Sequence, residues 1–480
     1  MSIWRIIFAN LKFSKWQHLG TCLGVALGSM ILVGALTVGD SIRGTLLKRS
    51  QERIGSITHL IVSQEGYFLS DLSDRLKMKF ADDGDTAFAP VLKTMGTISS
   101  PDGKIRASGL TVLGIDSSFF DFSEESKQAP EFASQGFWAS PDLAEELGEV
   151  FGARMILRVE EPSLFSRDAP LSGERDARFV PWNRPYLGEL RTEFLGKFSL
   201  GSNMEPVRTI FAPLSMLQDD MFVQFEEEEE RNHFANLLLA KVPNQQTQKL
   251  KDLLNEVWDL NDSGLKFKKL SKENTWALRS RSVFLNDKIA KTAKRLAPEI
   301  CGEFTYLVNA IRKPENTVQG DSKLTPYSMV TGVDIESTRF LPDGFQNDQI
   351  AVNQWLAEDL NLSLGDRISL EYYVVGPRRK LIEENRTFLV RTILPMPNKI
   401  AKGGESDWTP RFPGLSDSEN CGEWDTGIPI KHEIRTKDEE YWDEYRGSPK
   451  AFISPLAAEE MWGNRWGSYT GFRISGEDRV

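Results

Sequence analysis

The sequence predicts an α+β protein with one N-terminal transmembrane helix and stalk, followed by two tandem copies of an α+β module. Three observations predict it. Leu19 to Val38 is an uncharged run of twenty residues. Beyond it, four sequence landmarks occur twice in the same order. Around them, amphipathic helical patterns alternate with short strand-like runs in the mixed order of two-layer α+β units. At 480 residues, 40% hydrophobic and 26% charged, the chain is long enough for several domains and can bury a sizeable core. Its net charge of −11 argues against a nucleic-acid partner, which would want a basic face.

Residues 1–18, "MSIWRIIFANLKFSKWQH", space Ile3, Ile7 and Leu11 by four, and Trp4, Phe8 and Trp16 broaden that face. Arg5, Asn10, Lys12 and Lys15 lie among them. The pattern predicts a helix in the membrane interface, with tryptophan at headgroup depth. The segment 19–39 follows as the transmembrane helix. Twenty residues at 1.5 Å each make about 30 Å, the thickness of a bilayer core. The run is too long for the apolar core of a signal peptide, and no clear small-residue cleavage site follows it.

Gly20, Gly24 and Gly28 recur every fourth residue and share one face of that helix. In lipid, helices associate through close backbone approach, and this spacing permits it. These three glycines are therefore the candidate packing residues. Their face calls for a partner helix, either in a second copy of the chain or in further membrane helices. Orientation stays open on charge alone: Arg5, Lys12 and Lys15 precede the span, while Arg43, Lys48, Arg49 and Arg53 follow it.

Residues 40–56 read as a helical stalk ending at Gly55. Residues 57–245 form the first module, with "THLIVS" as its first strand. Residues 246–300 are connecting helices, "QQTQKLKDLLNEVWDL" and "NDKIAKTAKRLA", with the strand "LKFKKL". Residues 301–480 form a second module, expected to be nearly complete where the sequence stops.

The repeat rests on pairs of segments. "TVLGIDSSFF" from Thr111 matches "MVTGVDIESTRF" from Met329. "SPDLAEELGEVFGARMILRV" from Ser140 matches "NQWLAEDLNLSLGDRISLEY" from Asn353 without a gap. "IFAPLSML" from Ile210 matches "AFISPLAA" from Ala451, and "FANLLLAKV" is faintly echoed by "SYTGFRIS". In the second pair, Gly148 and Asn361 stand where each short helix should end in a left-handed residue. Gly152 and Gly365 then turn the chain into a strand.

Chemical motifs are sparse. The sequence contains no P-loop, no nucleophile elbow and no zinc-binding histidine pair. No catalytic, cofactor or metal residue is assigned, and the protein is expected not to be an enzyme. Glu226 to Glu230 read as a solvated acidic loop. Glu405, Asp407, Asp417, Glu419, Glu423 and Asp425 gather in one long loop, but not at the spacing of a calcium loop. Trp408, Trp424, Trp442 and Trp462 are expected to pin that loop to its module. Cys301 and Cys421 could pair outside the cytosol; two unpaired small residues is the preferred reading. The loops 161–190 and 398–440 carry no assignable role.

Taken together, the interface helix, span, stalk and duplicated landmarks resemble ABC-transporter permeases of the FtsX/MacB/LolC type. The landmarks are similar to that family's periplasmic core: a V-x-G-[VI]-D strand, an LAxxLGxxxGDxIxL segment and an F-x-PL segment. The resemblance implies two MacB-like core modules and a cytoplasmic N-terminus in a bacterial inner membrane, with the bulk of the chain in the periplasm. It also implies a separate ATP-binding subunit whose motion is relayed outward to move lipoprotein, lipid or peptide. Such permeases carry further spans after the outer domain, and none occurs in this sequence. The expectation is therefore a permease fragment. The alternative is a single-span anchored binding or adaptor protein without transport function.

Overall fold

The computed structural model describes residues 3–475, apart from 64–65, 83, 124, 126–129, 131–135, 149–150, 161–178, 202–204, 223–233, 272–274, 315–322, 335–339, 378–379, 402–403, 413, 417 and 425–427. Helix α1 (Ile3–Phe13) carries the expected amphipathic pattern. It ends earlier than residue 18, because the chain breaks at Ser14 and a new helix, α2 (Lys15–Ile54), begins directly after it. The segments 19–39 and 40–56 both read as helical, and α2 carries them without a break. Span and stalk are one helix of forty residues, about 60 Å long. No proline interrupts it, and single glycines such as Gly39 and Gly44 weaken a helix without ending it. Among the described residues α2 is the one helix long and apolar enough to cross a membrane, and none of its most apolar stretch is buried.

The first module runs β1 (His59–Val62), β2 (Phe68–Leu69), α3 (Leu72–Lys79), β3 (Ala87–Ser99), β4 (Arg106–Ile115), β5 (Phe137–Ala139), α4 (Pro141–Leu147), β6 (Arg154–Glu160), β7 (Phe179–Glu189), β8 (Thr209–Pro213), α5 (Leu214–Met221), β9 (Phe234–Ala235) and β10 (Leu237–Lys241). Helix α6 (Thr247–Val257) follows. The second module runs β11 (Leu265–Lys269), β12 (Thr275–Ser280), α7 (Asp287–Leu296), β13 (Cys301–Arg312), β14 (Leu324–Val333), β15 (Gln349–Asn353), α8 (Gln354–Leu360), β16 (Arg367–Val375), β17 (Leu381–Leu394), α9 (Thr436–Tyr445), β18 (Ala451–Ile453), α10 (Pro455–Trp462) and β19 (Gly471–Ser475).

The first sheet has the order β1-β10-β3-β4-β8-β5-β7-β6, and β6 returns to β3, so six strands close into a barrel. The second has the order β11-β12-β19-β13-β14-β18-β15-β17-β16, and β16 returns to β13. Strand by strand, the first sheet has a counterpart in the second with the same neighbours. The senses agree as well. β4–β8 and β14–β18 are parallel, as are β5–β7 and β15–β17. The remaining pairings within the two barrels are antiparallel. The faint fourth landmark has a topological counterpart too: β10 lies between β1 and β3, as β19 lies between β12 and β13. Closure leaves no free edge on the barrel strands, which suits strands that bury one face around an apolar centre. Leu92, Leu110, Leu157 and Ile210 fill the first barrel, and Phe304, Tyr306, Val330 and Ile368 the second.

Packing explains the duplicated glycine of the first landmark. A Cβ at Gly114 would lie 2.8 Å from Leu217 of α5, and one at Gly332 would lie 2.3 Å from the Cβ of Ala458 in α10. Each helix comes from the third landmark, so the two motifs are two sides of one close contact. The second landmark differs between copies at its turn. Asn361 is left-handed, as expected (φ 52°, ψ 57°). Gly148 instead takes φ 75° with ψ −168°, a conformation open to glycine alone.

The connector 246–300 divides between the modules. Leu250 of α6 packs with Leu72, Leu76 and Phe80 on the first module, whereas β11 and β12 join the second sheet and Ala290 of α7 packs with Phe472. Asp262, in the connector just ahead of β11, is fastened to the first module: its buried carboxylate accepts from Arg75 Nη2 at 2.9 Å and from the Leu69 amide at 3.2 Å. Trp462 does not pin the long loop. It sits on α10 within the second core, stacked on Tyr306 with ring centroids 5.1 Å apart. Trp408 does meet the expectation, edge-on to Phe452 at 5.3 Å. Cys301 and Cys421 are both free and buried, and burial pushes the Cys301 thiol up to about 12.

Candidate coupling site at the helix–module junction

The long apolar helix α2 meets the first module at a small joint. Helix α2 closes with the Gly55 amide donating to Gln51 O at 2.8 Å. Gly55 has φ 57° and is pressed against the module: a Cβ there would lie 2.5 Å from Phe122 O and 2.7 Å from Leu195 Cδ2. Only glycine allows both the turn and the approach. The next residue fastens the joint, since the Ser56 amide and hydroxyl both donate to Phe122 O, at 3.0 and 3.1 Å. One turn back, Arg53 donates to Gly201 O at 3.4 Å and to Glu205 O at 3.2 Å.

Phe122 is placed by the first landmark. Asp116 ends the Gly-x-Asp turn and accepts from the Ser118 amide at 2.9 Å, capping the 3₁₀ turn Ser117–Phe122. This buries Phe119, Phe120 and Phe122 beside Phe194, Leu195 and Phe198, and Ile57 packs on the same cluster. Leu195 is left-handed at φ 61°, an uncommon conformation for a bulky residue and one that costs energy. Beyond the joint, Thr58 locks into the sheet. Its hydroxyl donates to Val242 O and accepts from the Val242 amide, each at 2.9 Å. His59 then reaches Thr247 Oγ1, on the first residue of α6, at 2.8 Å. A tilt of α2 therefore bears on strand β1, the phenylalanine cluster and α6 together.

Gly20, Gly24 and Gly28 lie along α2 with nothing within 4 Å of their would-be Cβ atoms. The structure places them on an exposed face of the helix, and among the described residues no other part of the chain approaches it. Of the joint residues, sequence reasoning reached only Gly55, as the end of the stalk. Phe122 and Leu195 lie far along the chain, and nothing local marks them as its partners.

Two of the acidic loop residues find structural work. Glu405 pairs with Lys268, and Asp407 accepts from the Ser271 amide at 3.1 Å. Asp417, Asp425 and the run Glu226 to Glu230 lie outside the described residues, as does most of the loop 161–190. Among the described residues no group of three or more histidine, cysteine, aspartate or glutamate side chains could hold a metal ion.

Inside the second module, Glu303 is fully buried between Arg279 and Arg473. Both guanidinium groups also donate to Asp407 O, and Arg473 lies 3.3 Å over the Trp408 ring. Burial pushes the Arg279 guanidinium below its usual range despite Glu303. The cluster bolts the long loop to the sheet.

No family model matches this chain, and no curated protein matches it either.

Proposed function

We propose that this chain is a membrane-anchored permease subunit of an ABC transporter of the FtsX/MacB/LolC type. In this reading α1 lies in the cytoplasmic interface of a bacterial inner membrane, α2 crosses it, and the two modules stand in the periplasm. A separate ATP-binding subunit supplies the work, and further membrane helices or a second permease copy cover the glycine face of α2. The cargo class is lipoprotein, lipid or peptide, moved by export or release. The observation that carries the reading is the unbroken helix Lys15–Ile54, which runs into a joint clamped at Gly55, Ser56 and Arg53. A helix without an internal break transmits tilt along its length, and a joint fixed by several bonds passes that tilt to the module. Mechanical relay of this kind needs no catalytic group in the modules.

The test is purification from native membranes in mild detergent, followed by mass spectrometry. A stoichiometric ATP-binding subunit, and ATP-dependent change in amide exchange at Ser56 and Thr58, are expected. A complex free of any ATPase under several detergents would sink the proposal. A second reading, a single-span anchored binding or adaptor protein, is favoured by α2 being the one membrane-length helix among the described residues. That reading requires the isolated helix to dimerise; the permease reading does not.

A further inference from the structure

Two modules on one chain move independently unless what joins them is fixed. Here the join is residues 242–264. Its sequence, "VPNQQTQKLKDLLNEVWDLNDSG", has one proline near its start, one glycine at its end and a helix between them. That is not the composition of a pliant linker.

The near end of the join belongs to the α2 joint. The Val242 amide and carbonyl are both bonded to the Thr58 hydroxyl, and His59 holds Thr247 at the start of α6. Helix α6 then runs eleven residues, about 16 Å. Its apolar side, Leu250, Leu253, Leu254 and Val257, packs with Leu72, Leu76 and Phe80. The helix cannot swing away from the first module without exposing that side to water.

The far end is fastened on both sides. Toward the first module, Val257 O and the Asp262 carboxylate both accept from Arg75 of α3. The Asp262 side chain is 0% exposed. It also accepts from the Leu69 amide at 3.2 Å and the Asp259 amide at 2.7 Å. A buried carboxylate with this many N–H donors holds its turn in one geometry. The Trp258 indole N–H donates to Ser263 Oγ at 2.8 Å, and its ring lies 6.3 Å from that of Phe68.

Toward the second module, the Leu265 amide donates to Leu260 O at 3.0 Å, and the Arg281 amide to Gly264 O at 2.8 Å. Arg281 Nη1 donates to Asn261 O at 2.9 Å, and its guanidinium lies 4.6 Å over the ring of Phe234 in the first module. Leu265 opens β11 and Arg281 follows β12. The corner of the second sheet is thus bonded to the same turn that Asp262 fastens to the first module.

We propose, resting on the reading of α2 as a carrier of tilt, that α6 and the turn 259–264 form a lever that takes this movement into the second module, with Asp262 as its pin. Without the lever only the first module would follow α2. With it the two modules follow together. Coupled sites respond non-additively, whereas neighbours that merely touch need not.

The test is a double-mutant cycle read by amide exchange, on the full chain in detergent with no ATPase or nucleotide present. Gly55→Ala perturbs the joint, and the amides of Leu265 and Arg281, which close the turn, are the readout. Gly55→Ala alone should speed their exchange about threefold or more, the scale of coupling within one bonded network. Added to Asp262→Ala, it should leave both amides at the rates of Asp262→Ala alone. Arg281→Met keeps the apolar stem but removes the bond to Asn261 and the cation over Phe234. It should abolish the response at Leu265 in the same way, and it guards against an Asp262→Ala chain that fails to fold. A purely structural Asp262 would raise exchange additively and keep the response to Gly55→Ala. A response kept in both variants overturns the proposal, as do wild-type rates at Leu265 and Arg281 in Gly55→Ala. With no ATPase in the sample, either result is independent of whether this chain binds one.

Discussion

Replacing Glu303 with glutamine removes the one negative charge between two guanidinium groups in the core of the second module. The Glu303 side chain is 0% exposed, Arg279 8% and Arg473 13%. After the change Arg279 keeps only neutral acceptors, Asp407 O at 2.8 Å and Thr470 O at 3.2 Å. Arg473 keeps Asp407 O at 2.5 Å and the face of Trp408. Two buried cations without a counter-charge place the loss at about 3–5 kcal/mol, the range for breaking one side of a buried ion pair. Urea unfolding of the full chain in detergent, followed by tryptophan emission, measures it. A triple variant with methionine at Arg279, Glu303 and Arg473 should recover most of that loss, because it removes the charges together. A loss under about 1 kcal/mol for Glu303→Gln would refute the reasoning, as would a triple variant less stable than the single one.

Two further outcomes are expected. Gly55→Ala forces a Cβ to 2.5 Å from Phe122 O at a positive φ, and the conformation alone costs about 1 kcal/mol; the joint should shift, speeding exchange of the Ser56 and Thr58 amides, and unchanged exchange would show that the joint does not depend on this contact. Burial pushes the Lys450 ammonium down to about 8. The unfolded chain therefore holds the proton more tightly between about pH 8 and 10.5, and the lysine's destabilising effect is greatest below that window and fades through it. Lys450→Met should be more stable than wild type at pH 7, the gap closing by at most about 1.4 kcal/mol per pH unit; thermal melts across that window check it, and a gap independent of pH would count against the buried charge.

Much of the architecture is legible along the chain because its signals are local. The length of the apolar run, the helical spacing of Leu250 and Leu254, and the turn residues ahead of "MILRV" and "ISLEY" each act within a few residues. The landmarks could be paired because each copy repeats the same local chemistry in the same order. The misreadings also have physical causes. The expected interfacial helix over residues 1–18 stops at Phe13, because the chain breaks at Ser14 and α2 starts at Lys15. Trp462 was grouped with the loop tryptophans by residue type, while its place on α10 decides that it faces Tyr306. Gly148 and Asn361 look interchangeable at their shared position, yet the two backbones diverge in ψ.

The sequence by itself determined that the chain has one membrane-length helix and a duplicated α+β unit, because hydropathy and turn chemistry are properties of short segments. Only the tertiary structure decided that each unit closes six strands into a barrel, since closure joins β3 to β6 and β13 to β16 across long stretches of chain. It alone set Phe122 and Leu195 against Gly55. It alone folded the extra loop of the second copy over Lys450, whose ammonium rests on Trp355 and Tyr441 beside Asp438. Contacts between distant residues depend on how whole elements pack, and no local pattern encodes which partner will arrive.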